Sequence, residues 1–168
     1  MNTVDWKTRQ ETSADVAAVH AVHLAAFETS LEAKLVDTLR TDPAWIDEFS
    51  MVVEGPDGLA GHALLTRCHI GDVPALGLGP VGVLPEWQSK GAGSAAIVAL
   101  LREAEQAGES FVVVLGHPPY YPRFGFERAS TYGISLPIEV PDDAFLVRSL
   151  DGTRPPSGVV RYAAPFGV

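Results

Sequence analysis

Residues 78–94 read LGPVGVLPEWQSKGAGS. The run changes character twice. Val81 and Val83 alternate with Gly82 as in a strand, and Pro85 ends that pattern because it has no N–H for a ladder. The loop Gln88-Ser89-Lys90-Gly91-Ala92-Gly93 then opens into apolar residues at helical spacing. The first turn of a helix carries N–H groups without intrahelical partners, and the helix dipole places partial positive charge there. Glycines in such a loop let the backbone approach a ligand closely. The segment therefore reads as a cradle for a pyrophosphate.

Two better-known phosphate loops are excluded. A P-loop carries Lys-Ser or Lys-Thr after its last glycine, whereas Lys90 here precedes Gly91. Gly77, Gly79 and Gly82 match the dinucleotide string literally, but they lead into a strand pattern and not a helix. The order Gln88-x-x-Gly91-x-Gly93 after a Val-x-Val-x-Pro strand resembles the acetyl-CoA loop of the GNAT acetyltransferases. A second block, Tyr120-Tyr121-Pro122-Arg123-Phe124-Gly125-Phe126, is similar to that family's tyrosine-containing signature. The run LGHPPYYPRFGF is closer still to the YhbS-like branch of the family. The resemblance spans most of the chain.

Length and composition agree with one globular domain over residues 1–168. At 46% hydrophobic and 20% charged residues, the chain can bury a core and is not of disordered composition. No apolar run reaches membrane-spanning length. The first twelve residues lack the apolar stretch of a signal peptide, so a cytoplasmic location is expected. Cys68 is the only cysteine, so no internal disulfide forms, and it reads as an inert strand residue. A net charge of −9 disfavours nucleic acid and leaves a cationic acceptor as a compatible partner.

The predicted order begins with an edge strand from Trp6 to Glu11. A helix follows the Thr12-x-x-Asp15 start, with Val16, Val19, His20, His23 and Phe27 on one face. A second helix starts at Thr29-x-x-Glu32 and ends at Asp42-Pro43. Strands are expected at Ser50 to Glu54, Leu59 to Ile70 and Ala75 to Leu84. A helix from Gly91 to Ala107 should bury Ile97, Leu100, Leu101 and Ala104. The apolar run Phe111 to Leu115 reads as a central strand, a short helical turn covers Tyr121 to Phe124, and strands Phe145 to Leu150 and Val159 to Ala163 close the chain. That order is α+β. The resemblance implies the GNAT-like three-layer fold, a central mixed, mostly antiparallel sheet flanked by helices. It also implies that strands Ala75 to Leu84 and Phe111 to Leu115 splay to admit the cofactor.

By the same resemblance, acetyl-CoA is the co-substrate and no metal takes part. Gln88, Ser89, Lys90, Gly91, Ala92, Gly93 and Ser94 would hold its pyrophosphate. The backbone of Val81, Gly82 and Val83, with His117 on the other side, would meet the pantetheine arm. Many relatives carry an asparagine where His117 stands. Tyr121 matches the tyrosine that protonates the departing thiolate as general acid. A lysine-like amine of pKa about 10.4 must also lose a proton, at a cost of roughly 4–5 kcal/mol near neutrality. Glu28, Glu32, Glu86, His20, His23 and His117 are candidate bases, with Glu28 and Glu32 placed near the acceptor side by the resemblance. His20 and His23 share a helix face without a third ligand, which is a poor metal set. The implied reaction is direct acetyl transfer to a primary amine, small molecule or peptide. The alternative is a non-catalytic acyl-CoA-binding sensor or interaction module. Acceptor identity, acyl-chain length and assembly, including a homodimer, stay open.

Overall fold

The sheet is two-sided because its strands alternate apolar residues on both faces. In a computed structural model describing residues 4–168, β2 (Ser50–Gly55) and β3 (Gly58–Ile70) are the clearest cases. Met51, Val53, Ala63 and Leu65 point to one face, where α3 (Ala92–Gln106) covers them with Ile97, Leu100, Leu101 and Ala104. Val52 and Leu64 point to the other, under Val19 of α1 (Val16–Ala26) and Val36 and Leu39 of α2 (Leu31–Leu39). Helix, sheet and helices thus form three layers.

The remaining strands are β1 (Lys7–Gln10), β4 (Val73–Val83), β5 (Phe111–Leu115), β6 (Glu127–Arg128), β7 (Ile134–Ser135), β8 (Phe145–Ser149) and β9 (Gly158–Arg161). The main path runs β1-β2-β3-β4-β5-β8-β6, and β9 joins β3 beyond the end of β2 and pairs with β7. Along the main path only β4 and β5 run parallel. A second apolar cluster, with Phe111, Val113, Phe145, Val147 and Val160, lies under the C-terminal segments.

The mixed, mostly antiparallel sheet matches the expectation, with two differences. Val19, Val22 and His23 form the buried face of α1, while Val16 and His20 stay partly exposed and Phe27 lies just past the helix end. The helix is rolled about its axis to pack on both α2 and β3, which a stripe read from spacing alone does not foresee. The two-residue strands β6 and β7 carry too little pattern to read. No helix among the described residues is long and apolar enough to cross a membrane.

Candidate active site

The parallel ladder between β4 and β5 runs from Leu76–Val112 to Leu78–Val114 and stops. Beyond it β4 stays paired with β3 as far as Val83–Gly61. The break coincides with a register shift near Leu64, with Gly79 at φ 130°, and with Pro80, which has no N–H to donate. The two strands separate there, and a cleft of about 620 Å3 opens between them.

Leu84 donates its N–H to Ala60 across the β3–β4 ladder. By the alternation of an antiparallel pair, Gly82 also turns its main-chain groups to β3, while Val81 and Val83 turn theirs to the cleft. The Val83 carbonyl accepts from Gln88 Nε2 at 3.0 Å on that open side. Of Val81, Gly82 and Val83, only Val81 and Val83 therefore turn backbone groups into the cleft. Gly82 has another role: a Cβ there would lie 2.6 Å from His23 Nδ1.

The cradle sits at the mouth of this cleft. Ser89 takes φ 61° and Gly91 φ 93°, both left-handed, and the alternation of hand turns successive amides toward one concavity. The first helical bond runs from Ala95 N–H to the Gly91 carbonyl. From Ser89 to Ser94, no backbone N–H donates to a protein acceptor among the described residues. Ser89, Gly91, Ala92, Gly93 and Ser94 line the cleft with Gln88. Trp6 Nε1 donates to the Lys90 carbonyl at 2.8 Å and pins the loop to the edge strand. The Lys90 ammonium lies 5.3 Å from the centre of the Trp87 ring and does not line the cleft, whereas Arg123 does. The cation on the cleft wall is thus one that the sequence reading did not single out.

Tyr121 is 9% exposed and reaches the cleft from the 3-10 turn Tyr121–Phe124. It packs so closely on Gly116 that no side chain fits there. Burial pushes its phenol up to about 12, and its hydroxyl makes no hydrogen bond to protein among the described residues. Tyr120 also lines the cleft, and its hydroxyl pairs with Ser94 Oγ at 2.9 Å, which ties this turn to the start of α3. His117 is exposed on the opposite wall.

The candidate bases are dispersed. Glu28 is exposed, and neither it, Glu32, Glu86 nor His20 lines the cleft. Glu32 has a buried carboxylate oxygen without a partner. His20 pairs with Asp37 at 2.8 Å on the surface. Among the described residues, no three His, Cys, Asp or Glu side chains gather as a metal set. Burial pushes the Cys68 thiol up to about 12, as befits an inert thiol.

His23 is fully buried and meets His62, also buried, at 2.8 Å; His62 meets Ser50 Oγ at 2.8 Å. Burial lowers His23 from 6.5 to about 4 and lowers His62 well below the usual value, with Arg40 and the neighbouring histidines acting in the same direction. Between those limits the unfolded chain binds protons that the folded chain refuses, so stability falls as pH drops from about 6.5 toward 4. At pH 5 the His23 contribution alone is a loss of about 2 kcal/mol. Urea midpoints at pH 7.5 and 5.0 measure it; an unchanged midpoint refutes it.

A three-layer fold with a parted strand pair and an amide cradle at the start of α3 defines a coenzyme-binding acyltransferase architecture. The Acetyltransferase (GNAT) family model matches residues 16–126, and the chain belongs to that family. It is 33% identical over 162 residues to the uncharacterized N-acetyltransferase YjhQ of Escherichia coli K12, covering 90% of this chain and 88% of the relative. The solved N-acetyltransferase YhbS of Escherichia coli, in complex with CoA, superimposes with a TM-score of 0.85 at 25% identity, over 100% of this chain and 95% of the other. A GNAT family acetyltransferase from Brucella melitensis, in complex with acetyl-CoA, gives 0.80 at 31% identity over 96% and 98%. The YhbS-like resemblance read from the sequence agrees with these matches.

Proposed function

We propose that the protein is an acetyl-CoA-dependent N-acetyltransferase that passes the acetyl group directly to a primary amine, of a small molecule or a peptide. The run of partnerless amides from Ser89 to Ser94, at the mouth of a cleft walled by Val81, Val83 and Tyr121, carries this reading. Such a run suits a diphosphate, and the space beside it suits the arm that leads inward. Gly91 and Gly93 keep side chains out of the approach: a Cβ at Gly93 would touch the Tyr120 hydroxyl and Val83, each at 3.5 Å. Acetyl-CoA, once bound, supplies an activated acetyl thioester. The main chain of Val81 and Val83 holds the arm as an added strand would. Tyr121 acts as general acid, its hydroxyl donating toward the leaving sulfur. Arg123 and the amides offset the charge of a polyanionic ligand on a protein that is itself acidic.

The rival reading is a sensor that binds the coenzyme without turnover. A screen of amines that follows free thiol from acetyl-CoA separates the two. At least one primary amine is expected to release thiol well above a mock without acceptor. Tight acetyl-CoA binding with no thiol from any amine refutes catalysis.

A further inference from the structure

The chain carries a net charge of −9, yet three guanidinium groups gather beside the cleft. A second hollow, of about 490 Å3, lies between the exposed side of α3 and the turn Tyr121–Phe124. Arg102, Arg123 and Arg148 line it with one carboxylate, Glu105, and with the apolar Val98 and Phe124. Only Arg123 lines both this hollow and the cleft, so it stands on the ridge between them. Clustered positive charge with so little counter-charge raises the local concentration of anions.

Arg123 is exposed, and its neighbours hold it in place. Its Nε donates to the Tyr120 carbonyl at 2.9 Å, and its guanidinium lies 4.7 Å from the centre of the Tyr120 ring. The Tyr120 hydroxyl meets Ser94 Oγ at 2.9 Å, so one aromatic ring spaces the guanidinium from the amide cradle. Arg9, Arg40 and Arg67 are each closed on a carboxylate. Arg123 keeps its fork open: among the described residues, neither terminal nitrogen has a protein acceptor. Arg148 donates Nη1 to the Phe124 carbonyl at 2.7 Å and lies over Gly125, which fixes the same turn from its other side.

We propose that the Arg123 fork binds the 3′-phosphate of coenzyme A and makes the protein select the coenzyme over its 3′-dephospho form. The proposal rests on the acetyl-transfer reading above and adds a specificity-determining residue to it. Covalent geometry carries the assignment. The 3′-phosphate hangs from the same ribose whose 5′ carbon bears the diphosphate. A diphosphate on the amides of Ser89 to Ser94 therefore leaves its 3′-phosphate within one sugar of the cradle. Arg123 is the cation at that reach, because Lys90 is turned aside over Trp87. A phosphate monoester can accept two parallel N–H bonds from one guanidinium. The adenosine then turns toward the hollow, a space of the size that small-ligand sites take, where Val98 and Phe124 offer it apolar surface.

Calorimetry with acetyl-CoA and acetyl-3′-dephospho-CoA tests this. Wild type should bind the dephospho form about tenfold more weakly: a guanidinium fork on phosphate is a strong contact, and exposure to solvent trims it. Arg123→Gln should weaken acetyl-CoA by a similar factor and bring the two coenzymes within about twofold of each other. Arg123→Lys keeps the charge, loses the fork and should fall between. Arg154→Gln removes the same charge from a position over the Tyr132 ring that lines neither space, and there the wild-type ratio should survive. A merely structural Arg123 would weaken both coenzymes equally and keep their ratio, which overturns the proposal. Loss of the ratio in Arg154→Gln overturns it too, since selection would then follow net charge. Wild type that binds no acetyl-CoA removes the acetyl-transfer reading itself; wild type that binds both coenzymes alike removes only this proposal, with no variant needed.

Discussion

Gly91→Glu is expected to weaken acetyl-CoA binding by at least three orders of magnitude while leaving the protein folded. Gly91 is exposed and holds φ 93°, a backbone that other residues adopt at a cost of about 1–2 kcal/mol. The added carboxylate would face the diphosphate across the cradle. At an effective dielectric near 20 and a separation of about 5 Å, each like-charge pair costs about 3 kcal/mol. Strain and repulsion together exceed the roughly 4 kcal/mol that a thousandfold change requires. Gly91→Ala isolates the strain. Its Cβ has room, the nearest atom being Trp6 Nε1 at 3.5 Å, so less than about tenfold should be lost. Calorimetry on both variants decides the matter. A folded Gly91→Glu protein with wild-type affinity would place the diphosphate elsewhere.

The contrast between those two glycine variants also marks where sequence was sufficient. Gln88, Gly91 and Gly93 lie within six residues of one another, so a local string carries the whole loop. The central layers were legible for a similar reason: alternation in β2, β3 and β4 and the stripe of α3 repeat over enough residues to be read. What escaped is long in sequence and short in space. Trp6 reaches Lys90 across 84 positions, Tyr120 reaches Ser94 across 26, and His23 reaches His62 across 39. None of these pairs leaves a periodic trace. Gly82 could have been flagged from sequence, since a glycine inside a strand often marks close approach by another group. The identity of that group, an imidazole from α1, needed the fold. Glu28 and Glu32 show the converse: their i,i+4 spacing was legible, yet neither reaches the cleft wall.

Tyr121→Phe is expected to lower kcat about a hundredfold with acetyl-CoA affinity within threefold of wild type. The ring provides the packing on Gly116, Phe124 and Phe126, and phenylalanine keeps it. Only the hydroxyl is lost, and among the described residues it has no protein partner to leave stranded. Its raised value of about 12 bears on how the hydroxyl acts. A free thiol titrates near 8.5, so complete transfer from the phenol to a relaxed thiolate is uphill by about 5 kcal/mol. The hydroxyl therefore works chiefly as a hydrogen-bond donor to sulfur as negative charge builds, completing the transfer only when a second proton replaces the first. A hydrogen bond to a charged group contributes about 1.5–3 kcal/mol, which brackets a hundredfold rate. The same value predicts no alkaline limb from Tyr121 below about pH 10 in the wild-type rate profile. Steady-state kinetics with the screened amine, beside calorimetry of acetyl-CoA, tests both statements. Wild-type kcat in Tyr121→Phe would remove this residue from the chemistry, and a parallel fall in affinity would make it a wall of the coenzyme site instead.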